Sequence, residues 1–425
     1  MGSNGWPHLR ASIELMSWDE STNVLIVGAG PVGMMAALAL ADRNIKSIVV
    51  DSGNRVSQRS FACALHARSL ELLEGFDLWD DIVEWGRRIE TIGFYDGVGR
   101  QTELDLALVR QRHPFVVVLP QSALEWMMEK ALRDWAGITV LRNHQLTGLW
   151  QNESGVFATA LRATPNSSAS PQSAASGQQA AFNIRAQALI GADGRNSSVR
   201  RLLGVPYDSL GAEEHFAIFE FETDLSLDRE IRIILDDSSS NVLWPIRERC
   251  CRWTMQVEAA TAETIPSQGE SEGREGLAKV LESRMFAKAP WFKGRVREVH
   301  WMGYARFQPR LAARFAQGRC RLIGDAAHQT GPIGVQSMNL GLLEAVEVAD
   351  DIIEMTTGLE PSDHGSAWSL RSRQRWLGLL GPNGREPRAR FANEWLERSA
   401  DRLIPCLPAA PDELSAFLGR LASSG

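Results

Sequence analysis

Apolar positions fall in short blocks along this chain, and the spacing within each block predicts an element. Asn23-Val24-Leu25-Ile26-Val27 is an apolar run of the length and kind that forms a buried strand. After a glycine-rich turn, Met34-Met35-Ala36-Ala37-Leu38-Ala39-Leu40-Ala41 predicts a helix, and Ser47-Ile48-Val49-Val50 a second strand. One helix is expected from Ser69 to Ile82, and another through Leu124–Leu132, where apolar residues recur at helical spacing. Further strands are expected at Ile138–Leu141, Gly155–Leu161 and Phe182–Leu189. Between the last two, Thr164–Ala181 is rich in Ser, Ala, Gln and Pro, a composition that builds no core. It predicts a long hairpin loop.

From about residue 210 to 305 the pattern changes. Phe216–Phe221, Ile231–Leu235, Asn241–Ile246 and Cys251–Val257 predict antiparallel strands, with Asp236–Ser240 as a turn. These strands describe a separate sheet inserted into the first domain, placed to roof a ligand pocket at the boundary. Trp244 and Trp253, on adjacent strands, are expected in its core. Beyond Ile353 only short helices are predicted, at Trp368–Leu380 and Arg388–Leu403.

Strand, turn and helix in that order give Gly28-Ala29-Gly30-Pro31-Val32-Gly33 a chemical meaning. Gly28 permits the tight turn, Gly30 lets a pyrophosphate approach the backbone, and Gly33 lets helix and strand pack closely. Phosphates would then meet free N–H groups at the positive end of the helix. The second strand ends at Asp51-Ser52, where an acidic side chain accepts hydrogen bonds from an adenosine ribose. The motif indicates a dinucleotide and leaves NAD or FAD open.

Composition narrows the class. At 425 residues the chain exceeds one ordinary hydrophobic core, so two intimate domains are expected. A hydrophobic content of 44% and a charged content of 23% describe an ordinary soluble protein, and a net charge of −7 with no long basic run argues against a nucleic-acid binder. No apolar stretch reaches the roughly 18 residues of a membrane span. Residues 1–20 read as a loose extension without the charged region and apolar core of a signal peptide. Cys63, Cys250, Cys251, Cys320 and Cys406 show no C-x-x-C spacing, so neither a disulfide framework nor a metal site is expected. Reduced thiols fit a cytoplasmic location, where the sequons at Asn152, Asn166 and Asn196 carry no meaning.

Two more glycine-bearing segments complete the pattern. One is Gly191-Ala192-Asp193-Gly194-Arg195, continuing through Ser197 to Arg200; the other is Gly324-Asp325-Ala326-Ala327-His328, continuing to Gly341. With these the chain resembles the flavin-dependent aromatic hydroxylases, class A monooxygenases of the p-hydroxybenzoate hydroxylase type. The resemblance covers about Asn23 to Ile353. Asp193, Gly194, Ser197 and Arg200 match the family's D-G-x-x-S-x-x-R element, and G-D-A-A-H is matched in full.

The resemblance implies an α/β fold: a Rossmann-like FAD-binding domain with a parallel sheet, an inserted mostly antiparallel substrate-binding sheet, and C-terminal helices. The expected division gives 21–90, 119–208 and 306–355 to FAD, 91–118 and 209–305 to the substrate, and 356–425 to a helical tail. It also implies roles. Asp325, after Gly324, would take hydrogen bonds from the flavin ribitol, and Gln121 and Arg59 would contact ribitol or pyrophosphate. The helix beginning within Gly334, Val335, Gln336, Ser337, Met338 and Asn339 would aim its N–H groups at the pyrimidine edge of the ring. Such a positive helix end stabilises the anionic reduced flavin. Pro332 would lie beside the ring where substrate binds, and Asp193 would serve both FAD and NAD(P)H. Ser337 stands where the family has glycine, Glu344 near its usual aspartate, and Asp51 for a commoner glutamate.

The implied reaction is a hydroxylation. NADPH or NADH reduces FAD, O2 adds at flavin C4a, and the hydroperoxide transfers oxygen to an aromatic or otherwise electron-rich, apolar small molecule. Because the cofactor carries this chemistry, no hydrolytic triad is required. No catalytic acid or base is assigned: His328 reads mainly as structural, and His113, His215 and Tyr95 are candidates for polarising a phenol that read equally as ordinary surface or sheet residues. Baeyer–Villiger insertion, epoxidation, N-hydroxylation and non-oxygenase flavin reduction stay open on the same fold. A homodimer also stays open.

Overall fold

The computed structural model describes residues 18–54, 64–109, 111–162, 181–259, 274–357, 363–380, 391 and 393–423. Its centre is an eight-stranded sheet. Five strands run parallel in the spatial order Cys320–Leu322, Ala181–Gly191, Glu20–Val27, Ser47–Val50 and Ile138–Leu141. Ala316–Gln317 pairs antiparallel with Cys320–Leu322, and His144–Asn152 and Gly155–Arg162 form an antiparallel flap on Ala181–Gly191. Val24 to Val27 are all buried, as a strand covered on both faces requires. The helix Pro31–Asp42 buries ten of its twelve residues. It is apolar all round because it is enclosed by the sheet and by the long helix Gln336–Thr357.

A seven-stranded sheet forms the second layer, in the order Val296–Phe307, Glu214–Thr223, Cys250–Val257, Ser240–Pro245, Glu230–Leu235, Thr91–Tyr95 and Arg100–Asp105. All neighbours are antiparallel except Glu230–Leu235 with Thr91–Tyr95. One face, with Phe219 and Trp253, packs on the helix Arg274–Lys288. The other, with Phe216 and Trp244, packs on Ile333, Val335 and the helices Glu394–Leu403 and Pro411–Ser423. Both tryptophans are fully buried, so they are core, on opposite faces.

Local chemistry corrects some boundaries. The single helix expected from Ser69 to Ile82 is two, Ala67–Glu74 and Trp79–Trp85. The chain breaks between them because Asp77 adopts φ +57° and Phe76 turns inward. The helix expected from Arg388 begins at Glu394, where the Asn393 side chain accepts hydrogen bonds from the N–H groups of Trp395 and Leu396. Another helix starts earlier than expected, at Asp363. Most of the Thr164–Ala181 loop and the first 17 residues lie outside the described residues. Cys250, Cys251, Cys320 and Cys406 are free thiols, and burial pushes Cys320 and Cys406 up to about 12. No helix among the described residues is long and apolar enough to cross a membrane.

Candidate active site

The three glycine-bearing segments meet at the C-terminal edge of the parallel sheet. A Cβ on Gly28 (φ +106°) would sit 2.3 Å from the Ala192 carbonyl oxygen, and one on Gly33 only 1.9 Å from that of Gly28. Gly324 faces the Val32 side chain, and so does Gly341. Gly30 differs, because no heavy atom lies within 4 Å of the position its Cβ would take. The turn is therefore packed shut against protein and open at Gly30, at the N-terminus of Pro31–Asp42. Asp51 holds this turn: its carboxylate accepts hydrogen bonds from the N–H groups of Ala29 (2.8 Å) and Gly53 (2.7 Å). Ser52, beside it, is exposed, and Arg59 lies outside the described residues.

The second segment is bound to the third. Asp193 accepts hydrogen bonds from Ser197 Oγ (2.5 Å) and from the N–H groups of Ser198 (2.6 Å) and Val199 (3.2 Å), capping the short helix Ser198–Leu202. Arg200 donates to the carbonyl oxygens of Ala326 (2.8 Å) and Arg195 (2.7 Å), with its guanidinium 3.8 Å over the Tyr207 ring. The Asp193 carboxylate is thus engaged by its own loop, and the exposed Arg195 and Asn196 are the side chains that loop presents.

In the third segment Asp325 accepts a hydrogen bond from Ser337 Oγ at 2.5 Å, and the Asp325 carbonyl oxygen accepts one from the Tyr207 hydroxyl at 3.0 Å. Ser337 lies in the first turn of Gln336–Thr357, so it ties that helix start to the carboxylate. Val335, immediately before the helix, has φ +53°. A β-branched residue there stores strain on the order of 1–3 kcal/mol, which persists only where neighbours fix it. Asn339 fixes it: its Nδ2 donates to the carbonyl oxygens of Val335 (2.8 Å) and Ala64 (3.0 Å), and its Oδ1 accepts from the His66 N–H (2.9 Å). His66 Nε2 donates to the Gly334 carbonyl oxygen at 3.0 Å, and burial pushes the ring down to about 3, so it is neutral. No motif marks His66 in the sequence. Pro332 is buried nearby, and Gln336 and Met338 are half-buried. Gln121 opens the helix Gln121–Asp134 and donates to Glu125 at 2.7 Å.

His328 is fully buried, with Nε2 2.7 Å from Glu344 Oε2 and its ring stacked 3.6 Å from Trp376. Glu344 also accepts from Trp376 Nε1 (2.6 Å) and the Gly324 N–H (3.2 Å). Together these residues brace the third segment against the helix Asp363–Leu380. Of the candidates for polarising a phenol, Tyr95 donates to Glu230 (3.0 Å) and stacks on Trp291. His113 binds Glu74 at 2.9 Å and stacks on Trp79. His215 lines a cavity of about 700 Å³ together with Arg195, Tyr207, Tyr304, Arg306 and Arg310. Its Nδ1 is hydrogen-bonded to the Tyr304 hydroxyl. Two of the chain's three tyrosines therefore face this cavity, a placement no sequence spacing signals.

A parallel-sheet domain with an open glycine cradle, an acidic residue ending the second strand, and Asp325 under a helix start defines a dinucleotide-binding flavoprotein. A family model described as FAD binding domain matches residues 21–369, and the chain belongs to that family. The residues present fit FAD: of the three motif glycines only Gly30 has no protein atom within 4 Å of its Cβ position, and the strained Val335 turn precedes a helix start tied to Asp325 through Ser337.

Para-nitrophenol 4-monooxygenase of a Pseudomonas species is 24% identical over 367 residues, 84% of this chain and 84% of that protein. Rifampicin monooxygenase of Streptomyces venezuelae is 26% identical over 346 residues, 80% of this chain but 65% of its own length. Pentachlorophenol 4-monooxygenase of Sphingobium chlorophenolicum is 25% identical, over 79% of this chain and 59% of its own length. The chain thus spans under two thirds of two of these three relatives. Among solved structures, p-nitrophenol 4-monooxygenase from Pseudomonas putida superposes with a TM-score of 0.71 at 21% identity, covering 96% of this chain and 100% of that one. Anhydrotetracycline hydroxylase from Streptomyces rimosus gives 0.68 at 22%, covering 95% and 76%. These likenesses show a shared fold.

Proposed function

We propose that this chain is an FAD-dependent monooxygenase that consumes NADH or NADPH and O2 and hydroxylates an aromatic or other electron-rich small molecule. The convergence of Gly30, Asp51 and Asp325 around one open cradle carries this reading. The names of the relatives, which act on nitrophenol, pentachlorophenol and rifampicin, support it. The proposed division gives the parallel sheet to FAD and the seven-stranded sheet, which runs on to Phe307, to the substrate.

Bound FAD supplies the oxygen-activating chemistry. The protein's part is to hold and orient it. Gly30 leaves room for the pyrophosphate, Asp51 faces the adenosine ribose, and Asp325, oriented by Ser337, takes the ribitol. The positive end of Gln336–Thr357 stabilises negative charge on the reduced ring. Pro332 borders the space for substrate. The four free thiols among the described residues support a cytosolic location.

The cavity of Arg195, Arg306 and Arg310 supplies the reductant's site in this proposal. Three guanidinium groups, opposed only by Glu213 among its lining carboxylates, suit the phosphates of a nicotinamide dinucleotide. Arg306→Ala is expected to raise KM for NADH or NADPH about tenfold, roughly 1.4 kcal/mol, with kcat changed less than twofold. Steady-state titration of each nucleotide checks this. The overall reading is tested by whether the purified chain takes up FAD and oxidises NADH or NADPH faster when phenols are added. A chain that binds no FAD refutes it; one that binds FAD but reacts with neither nucleotide shifts the electron source to a separate reductase.

A further inference from the structure

The strand Glu214–Thr223 turns Phe216 and Ile218 toward Ile333, Val335 and the C-terminal helices. Glu214, two residues before Phe216, shares that face. Its place is set by Gly331, where a Cβ would lie 3.3 Å from Glu214 Oε2 and 3.7 Å from the Phe216 ring. The carboxylate therefore rests against the backbone one residue before Pro332. Its one hydrogen bond among the described residues comes from Gln256 Nε2, at a long 3.4 Å. No cation among the described residues pairs with it. Burial alone holds its carboxyl above the ordinary range, and its charge helps push up the nearby Cys406 thiol.

Three other sheltered carboxylates among the described residues have closer partners. Glu344 has three donors, Glu230 is held by Tyr95, Arg100 and Arg232, and Asp351 by Arg321. A half-buried carboxylate with so few protein partners keeps acceptor positions open to a ligand's donor. We propose that Glu214 Oε2 accepts a hydrogen bond from a hydroxyl or amino group on the substrate ring. The site then selects phenols and anilines, and it disfavours rings that carry a carboxylate at that position. Glu214 is a specificity-determining residue. This rests on the proposed function, which places substrate beside Pro332.

The test uses the full FAD-loaded chain and matched probes: 4-nitrophenol and 1-naphthol, their methyl ethers, and 4-nitrobenzoate and 1-naphthoate. Binding is read from the change in flavin absorbance. The wild type is expected to prefer each phenol over its methyl ether by at least about tenfold, as for a hydrogen bond to a charged acceptor. Glu214→Ala is expected to shrink that preference to within about twofold. Glu214→Gln, the near-isosteric variant, should improve binding of the two carboxylates about tenfold by removing the like charge. Absence of a phenol preference in the wild type, including failure of both phenols to bind, overturns the proposal. So does a preference that survives in both variants. FAD content per chain is measured alongside: a wild type that takes up no FAD counts against the monooxygenase reading, whereas an FAD-loaded wild type without phenol preference counts against Glu214 alone.

Discussion

Gly30→Ala is expected to fold normally and purify colourless, whereas Gly33→Ala is expected not to fold. The two glycines are three residues apart in one motif and face different things. Gly30 is the N-cap of Pro31–Asp42 at φ −77° and ψ 179°, a conformation open to any residue, and nothing stands where its methyl group would go. Alanine there costs at most about 1 kcal/mol through weaker capping. The methyl group would, however, occupy the approach of the pyrophosphate, so FAD affinity should fall at least about 100-fold, roughly 2.7 kcal/mol. At Gly33 the added carbon meets the Gly28 carbonyl oxygen 1.9 Å away, in a helix that buries ten of its twelve residues. Ordinary overpacking costs about 1–3 kcal/mol, and the Gly28 backbone offers no flexible side chain to yield. Soluble yield, thermal denaturation without FAD, and flavin absorbance after reconstitution separate the two outcomes. Wild-type FAD affinity in Gly30→Ala would place the pyrophosphate elsewhere.

Removing Glu344 should be nearly as damaging, without touching the cofactor. Glu344→Ala leaves His328, Trp376 Nε1 and the Gly324 N–H buried without their common acceptor. Breaking a buried pair from one side costs about 3–5 kcal/mol. Glu344→Gln keeps an acceptor oxygen and should cost less, about 1–3 kcal/mol. Burial pushes the Glu344 carboxyl up, but the charge and hydrogen bond of His328, with the two other donors, hold it below its ordinary value. A carboxyl depressed in this way contributes stability above its unfolded pKa, near 4.3, and loses it as pH falls through the folded value. The wild type should therefore lose stability below about pH 4.3 more steeply than Glu344→Gln. Denaturant midpoints of both chains between pH 7 and pH 3 check this; parallel slopes would assign the acid sensitivity to other groups.

Much of the architecture is legible because burial on both faces of a sheet forces continuous apolar runs. Val24–Val27, Ser47–Val50 and Phe216–Phe221 are such runs, and each is a strand in the structure. The turn at Asp77 was not legible, since Gly75 and Asp77 sit within a helix-like apolar pattern that runs through to Ile82. The strand Val296–Phe307 is not legible either, because as the sheet's edge it carries His300 and Arg306 among its apolar positions. The helix Pro411–Ser423 lies beyond the predicted ones, although its Pro411-Asp412-Glu413 opening is a helix-start signal. The glycine segments could be read as cofactor-binding because local backbone geometry demands particular residues at fixed spacing. Glu214, His66, Tyr207 and Arg306 could not, since each gains its meaning from partners that only folding brings near.

The register of the central sheet has a consequence for how the molecule comes apart. Ala181–Gly191 sets Ile184 beside Glu20 and Leu189 beside Cys320, so the nucleotide cradle exists only when three remote stretches of chain have docked. Loop-closure entropy makes such pairings late events on the folding pathway. A ligand that recognises only the finished arrangement leaves the folding rate untouched and deepens the native well alone. FAD would therefore act on this chain as a kinetic lock, expected to slow unfolding while leaving the refolding rate unchanged.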